Sequence, residues 1–327
     1  MSAPLKKYIV TRERCPACES VRSETLYRAS YTEPPIRDYL TYYYSEVGKG
    51  VELEYLEGSE YILDECKDCG LIYQREVLNA FALKKLYEQW LDPALVQEGE
   101  SRERTARYYL WCAAQTARII EYLKKLPSGL KFLDFGMGRG NWCLIARGFG
   151  CDVYAMEISH AWLDHADALG VKLLSWEELA HHKFDFINAE QVFEHLADPL
   201  ETLTRLRQAL STDGIIRISV PGRRDIKRKL QKPDWSMPDG SPGSLNAVAP
   251  LQHLNCFNFE ALIRMGRKAG LEEVEVPDEF LQPEGITAKV KAILRPLYLK
   301  LFPGIHEARR RQVPNLCFRL ATPGERR

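Results

Sequence analysis

The chain has 327 residues, enough for two domains, one of them a full-sized α/β unit. Its 45 basic side chains balance 45 acidic ones, and a formal charge of zero removes the simplest argument for a nucleic-acid partner. No apolar run reaches the roughly 18 residues that cross a bilayer, and the start MSAPLKKYIVTRERC lacks the apolar core of a secretion signal, so a cytoplasmic protein with no transmembrane segment is expected.

Residues 1–78 read as a small module. They hold two C-x-x-C pairs, Cys15/Cys18 and Cys66/Cys69, and half of the sixteen tyrosines fall between Tyr27 and Tyr61. Four thiolates suffice for a tetrahedral structural Zn2+ site, and they leave no open position for catalysis. The pairs are 47 residues apart, more than a zinc ribbon uses, so the intervening chain must carry structure of its own. The stretch VELEYLEGSEYILDEC alternates and turns at Gly58-Ser59, which predicts a hairpin delivering the second pair. The other five cysteines sit in apolar surroundings and read as small buried hydrophobes.

Residues 79–128 turn helical. ALKKLYEQW predicts a short helix, and residues 101–126 a long amphipathic one starting at a cap on Ser101. From 129 to 327 strands alternate with helices, the pattern of a parallel sheet. Strands are expected at 130–135, 151–157, 171–175, 184–189, 214–220, 271–276 and 315–321. A lid or substrate loop is expected over 222–252. Its cations Arg223, Arg224, Lys227, Arg228, Lys229 and Lys232 could grip a phosphate-bearing acceptor, and a charge run is also the mark of a solvated face. An inserted amphipathic helix over 286–303 could pack on its own domain or on a second copy in a homodimer, with membrane-surface binding as the rival use.

The strongest local signal is Leu133-Asp134-Phe135-Gly136-Met137-Gly138-Arg139-Gly140. A buried strand ends in an acid, and three glycines at alternate positions lead into a helix. A dinucleotide fold would use G-x-G-x-x-G to place a pyrophosphate at the helix start. An acid ahead of the turn instead suits a ligand carrying positive charge. Glu157 ends the next strand, seventeen residues after Gly140, where a carboxylate can accept hydrogen bonds from two ribose hydroxyls.

With VYAMEIS and FDFINAEQVFEHLADP following in order, these residues resemble the class I S-adenosylmethionine-dependent methyltransferases. The resemblance covers roughly residues 105–322. It implies a Rossmann-like seven-stranded sheet with the last strand antiparallel and S-adenosyl-L-methionine as cofactor. By the same resemblance Asp134, Gly136 and Gly138 line the methionine side, Glu157 holds the ribose, Ile158 flanks the adenine, and Glu190 and Gln191 lie near the sulfonium. A narrower resemblance rests on CPAC, CKDCGLIYQ, Leu86-Tyr87 and QHLNCF, which are similar to the zinc-containing methyltransferases of bacterial glycan and deoxysugar pathways. It matches His253 to the catalytic histidine of a Y-x-E-H segment, with Gln252 in place of Glu and Pro250 in place of Tyr. His253 is thus the first candidate base and His195, in E-H-x-x-D-P, the second, against structural roles for each. The expected reaction is O- or C-methylation of a small polar acceptor, such as a sugar nucleotide, a glycan precursor or a related natural-product intermediate. The alternative is an RNA methyltransferase that grips RNA with its zinc module.

Overall fold

The computed structural model describes residues 6–92, 94–95, 105–158, 160–277 and 314–321. The expected helix at 286–303 and the expected cap at Ser101 lie outside these residues. Among the described residues no helix is long and apolar enough to cross a membrane.

In the N-terminal region β1 (Ile9–Thr11) is followed by β2 (Ser23–Ser30), β3 (Glu60–Cys66), β4 (Ile72–Gln74) and β5 (Glu76–Leu78). β1 pairs antiparallel with β5, while β2, β3 and β4 form a second antiparallel sheet. The hairpin expected over 51–66 is not formed. Residues Leu53–Leu56 make a 3-10 turn, and β3 pairs with β2 from Ser23↔Cys66 to Ser30↔Glu60. The tight turn before β3 explains this: Gly58 adopts φ +71, and the Ser59 hydroxyl donates back to the Leu56 carbonyl at 2.6 Å. That turn aims Leu56 and Tyr61 into one apolar cluster instead of along a ladder.

Helix α1 (Ile36–Val47) buries Ile36, Leu40 and Tyr44, spaced four residues apart on one face. They join Tyr31, Tyr61 and Trp90 in an aromatic core, where each large side chain contributes roughly 1.5–3 kcal/mol of burial. Helix α2 (Ala80–Lys85) is capped by Asn79, whose Oδ1 accepts from Ala82 N at 3.0 Å, and it runs into a π-helical turn, Leu86–Trp90.

The connector helix α3 (Ala106–Leu123) ends where Lys124 takes a left-handed φ of +52. Beyond it come β6 (Lys131–Phe135), α4 (Asn141–Gly148), β7 (Asp152–Met156), α5 (His160–Leu169), β8 (Lys172–Leu173), α6 (Trp176–Leu179) and β9 (Phe184–Glu190). The chain continues through α7 (Pro199–Gln208), β10 (Leu210–Ser219), α8 (Ile226–Leu230), β11 (Asn255–Cys256), α9 (Phe259–Lys268), β12 (Leu271–Val274) and β13 (Asn315–Leu320).

Seven strands form one sheet in the order β12-β13-β10-β9-β6-β7-β8, with β13 antiparallel to its neighbours. Alternate residues feed two cores. Phe132, Phe186 and Ile215 pack with Cys112, Ile119 and Trp142 under α3 and α4. Leu133, Ile187 and Ile216 pack with Leu203, Leu206, Leu262 and Met265 under α7 and α9. The strand order reverses between β6 and β9, and ligands of open α/β sheets bind at the carboxyl ends of strands beside such a switch.

The two regions are not separate beads. β11 leaves the second half of the chain and pairs with β4, Asn255↔Tyr73 and Cys256↔Ile72, completing the sheet order β11-β4-β3-β2.

Candidate active site

The glycine turn after β6 is built for close approach. Gly136, Gly138 and Gly140 all have positive φ. A Cβ on Gly136 would sit 2.6 Å from Val192 Cγ2, so packing alone demands glycine there. Nothing lies within 4 Å of a Cβ built on Gly138, so that peptide opens onto free space where a ligand can reach the backbone. Glu157 faces the same turn. Its Oε2 accepts from Gly138 N at 2.9 Å and its Oε1 from Ile158 N at 2.8 Å. Ile158 is 75% exposed beside it, which leaves its side chain open to a flat apolar ring.

Asp134 does not cap α4; it lies buried beneath the turn. It accepts from Asn188 Nδ2 at 2.9 Å and lies 3.5 Å from Cys143 Sγ. Burial, with the charges of Glu190 and Glu157 adding to it, pushes its carboxyl up to about 7. Three acids therefore gather at the carboxyl ends of β6, β7 and β9, an arrangement that a cationic ligand would relieve.

A buried cation balances part of this charge and was not singled out in the sequence. Arg217, on β10, is 2% exposed. It donates to Asn188 Oδ1 at 2.8 Å and lies 2.5 Å from Glu190 Oε2, while its guanidinium stands 4.8 Å from the Trp142 ring centroid. Ser219 donates to the other Glu190 oxygen at 3.2 Å. Glu190 is thereby fixed at the strand end, and Gln191 next to it takes φ +55, its N–H held by the Ser219 carbonyl at 2.8 Å. Within GIIRISV, Arg217 occupies an inward-facing position of an otherwise apolar strand, and that was the available signal.

Past β9 the structure brings His195 and His253 together, with ring centroids 4.9 Å apart. His195 Nδ1 faces the Gln252 carbonyl at 3.0 Å, and His253 Nδ1 faces the Asn246 carbonyl. A carbonyl only accepts, so both Nδ1 atoms carry the proton and both Nε2 atoms keep a lone pair. Desolvation, with His253 close by, holds His195 down to about 3, and desolvation lowers His253 as well, so both rings are neutral at pH 7. Glu194 completes the group. It is 1% exposed, its Oε1 lies 3.8 Å from His195 Nε2, and desolvation pushes its carboxyl up to about 8. The Asn258 side chain caps α9 by accepting from Ala261 N, so His253 is not needed for that task.

Residues far apart in sequence hold this cluster in place. Gln74, fully buried on β4, donates to the His253 and Ala249 carbonyls, both at 3.0 Å. Arg12 donates to the Gln74, Leu254 and Ala197 carbonyls and to Asn255 Oδ1 at 2.9 Å. Asn255 Nδ2 in turn donates to the Phe193 and Leu196 carbonyls, which flank Glu194 and His195. Tyr87, in the π-helical turn, lies where the charges of both Glu194 and Glu157 reach it; burial chiefly raises its hydroxyl.

Residues 101–276, more than half of the chain, match the family described as "Methyltransferase domain". The chain belongs to this methyltransferase family. No curated protein matches it in sequence. Solved structures similar to this methyltransferase include PKMT2 from Rickettsia typhi in complex with AdoHcy, at 14% identity and TM-score 0.43 over 64% of this chain and 54% of that one. The methyltransferase therefore spans about half the length of that protein. It is also similar to the plantazolicin methyltransferase BpumL in complex with SAH, at 14% identity and TM-score 0.46 over 73% of this chain and 94% of that one. A third is the 1,6-didemethyltoxoflavin-N1-methyltransferase of Burkholderia thailandensis, at 18% identity and TM-score 0.38 over 64% and 79% of the two chains.

The loop after β10 of this methyltransferase is anchored to the N-terminal region. Trp235 packs against Tyr27, Tyr39 and Tyr61, and Gln252 donates to Tyr44 Oη at 3.3 Å. Most of the loop's cations already have partners. Arg223 donates to the Gly70 carbonyl, Lys227 pairs with Glu65 at 2.7 Å, Lys229 reaches the Ser244 carbonyl, and Arg224 and Arg228 flank Asp225.

The four module cysteines converge until all their sulfurs lie within 4.8 Å of one another. Cys15 and Cys69 are 3.6 Å apart and Cys18 and Cys66 3.5 Å, and backbone N–H groups at Ala17, Cys18, Ser20 and Leu71 point at the sulfurs. A set of soft donors at these separations fits a tetrahedral dication.

Proposed function

We propose that this methyltransferase acts on a small polar acceptor, a sugar nucleotide, glycan precursor or related natural-product intermediate, at oxygen or carbon. In this reading the donor's ribose hydroxyls bind Glu157, its adenine lies along Ile158, and its positive charge sits above Asp134, Glu190 and Gln191 near Gly136 and Gly138. The donor supplies the sulfonium methyl group. His253, with His195 second, activates the acceptor on the far side of Tyr87, and the anchored loop and the tyrosine-rich module wall the pocket. Cys15, Cys18, Cys66 and Cys69 hold a structural Zn2+.

The observation that carries the reading is the convergence of two neutral imidazoles with free Nε2 atoms beside Glu194, past the same strand end that bears Glu190. Methyl transfer is an in-line displacement, and a base or its equivalent is needed only where the acceptor must lose a proton. The prior pairing of Lys227, Lys229 and Arg228 lends the RNA reading no support.

Zinc-replete protein incubated with methyl-labelled S-adenosylmethionine and a panel of nucleotide sugars and glycan precursors should label one small acceptor class. His253→Ala should slow the transfer about 100-fold or more. Label appearing in bulk RNA and in none of the small acceptors would overturn this assignment, and unchanged turnover in His253→Ala would remove that residue from the chemistry.

A further inference from the structure

Glu194, His195 and His253 each offer one donor atom, and these atoms all lie within 4.8 Å of one another. Only the four-cysteine cluster forms another such group among the described residues. Two features separate this trio from a chance meeting of polar groups. Each histidine spends its Nδ1 proton on a backbone carbonyl, Gln252 for His195 and Asn246 for His253, which leaves the Nε2 lone pair as the ligand atom. Metal-binding histidines are oriented in this way by their outer-shell partners. Glu194 Oε2 is buried and makes no hydrogen bond, and a native fold rarely leaves such a group without a purpose.

We propose that Glu194, His195 and His253 form a second metal site, taking a divalent transition cation such as Zn2+ on one carboxylate oxygen and two imidazole Nε2 atoms. Mixed nitrogen and oxygen donors of this kind suit zinc and its neighbours, whereas Mg2+ or Ca2+ would call for oxygen ligands. Ligand bonds of about 2.1 Å require the three atoms to close to roughly 3–3.5 Å, a contraction within reach of side-chain rotation. Three protein ligands leave coordination positions open, the pattern of a catalytic site, in contrast to the closed four-thiolate site.

The use of this ion in turnover rests on the proposed reading of the cluster as the acceptor end of the pocket; its binding does not. There an acceptor hydroxyl ligates the ion and releases its proton to solvent. The resulting oxygen lone pair forms the O–CH3 bond as the C–S bond breaks, leaving neutral S-adenosylhomocysteine. The histidines then activate the acceptor through the ion and not as free bases.

The test uses full-length protein equilibrated with Co2+ or Zn2+ and freed of excess metal. Wild type should hold two ions per chain, one on thiolates, with sulfur-to-cobalt charge-transfer absorption, and one without it. Glu194→Gln and His253→Gln should each weaken the second ion about a hundredfold or more, beyond the ten- to hundredfold cost of losing an outer-shell partner. Both should keep the thiolate-bound ion and S-adenosylhomocysteine binding, which verifies that they fold. One ion per chain in wild type that still binds S-adenosylhomocysteine overturns the metal site, as does a second ion that persists in both variants. Loss of S-adenosylhomocysteine binding in wild type, with two ions present, would instead strike the donor-site reading.

Discussion

Asp134, Gly138 and Glu157 meet across a single βαβ unit, whereas Glu194, His195 and His253 meet only because β11 crosses to the cysteine module and pairs with β4. The proposed donor end of the pocket is thus local in sequence. It needs one strand, one turn and the end of the next strand. The proposed acceptor end is assembled from three distant stretches, tied together by Arg12 and Gln74. A donor common to many enzymes can be held by a portable motif, while an individual acceptor calls for a site that the rest of the chain shapes.

If that contrast holds, damage to the module should disable the acceptor end while sparing the donor end. The largest effect is expected from Cys66→Ser. Zinc in small four-ligand sites contributes about 10 kcal/mol or more of folding free energy. The variant should lose one zinc per chain and the hydrogen-exchange protection of β3 and β4, while β6 and β9 stay protected. Equal loss of protection in both sheets would show that the two ends fold as one unit.

Arg12→Met should come next, at roughly 3 kcal/mol, because it strands buried carbonyls and the Asn255 side chain. Urea unfolding measures this cost. The sharper readout is the 4.9 Å His195–His253 pair, whose imidazole resonances should shift while S-adenosylhomocysteine binding changes little. A variant as stable as wild type would remove Arg12 from its role as the tie between regions.

A smaller, pH-dependent effect belongs to Asp134. Its folded value of about 7 lies above the ordinary 3.8, so the folded state holds a proton that the unfolded state has lost. Its contribution to stability is complete below 3.8 and is lost as pH rises through about 7. A sulfonium favours the ionised carboxylate, so affinity for S-adenosylmethionine should rise across the same range. Asp134→Asn should flatten both slopes. Calorimetry from pH 5 to 8, as roughly the accessible window, would refute this if the variant kept the wild-type slope.

The least effect is expected from the double change Arg224→Ala, Arg228→Ala. Both side chains are more than 70% exposed and flank only Asp225, and such surface changes stay within about 0.5 kcal/mol. Acceptor KM should be unchanged. A large rise would make this loop the phosphate grip that its composition suggests.

Much of the fold was legible. The strands β6 to β10, β12 and β13 follow the alternation of apolar runs with helical segments, and a seven-stranded sheet with an antiparallel β13 agrees with the resemblance drawn from LDFGMGRG, VYAMEIS and FDFINAE, whereas β11 was not foreseen. The expected hairpin at 51–66 failed because alternation shows that a strand exists but not which strand it pairs with. β3 takes its partner from 30 residues upstream of its own start, past α1. The glycine turn, Glu157 and the two histidines could each be picked out, since their chemistry is written in residue type and position. Asn188, Gln74 and Arg12 could not, because their importance comes from burial and long-range contact. Their sequence surroundings, an apolar strand or a polar terminus, give no sign of a partner up to 243 residues away.

The central claim is that the donor sits over Gly138 with its ribose on Glu157. Calorimetric titration of S-adenosylhomocysteine into zinc-replete wild type and Glu157→Ala tests it most directly. One site per chain in wild type, weakened about tenfold to a hundredfold in the variant by loss of charge-assisted hydrogen bonds, is the expected result. Equal affinity in the two proteins, or no uptake by folded wild type, would contradict it.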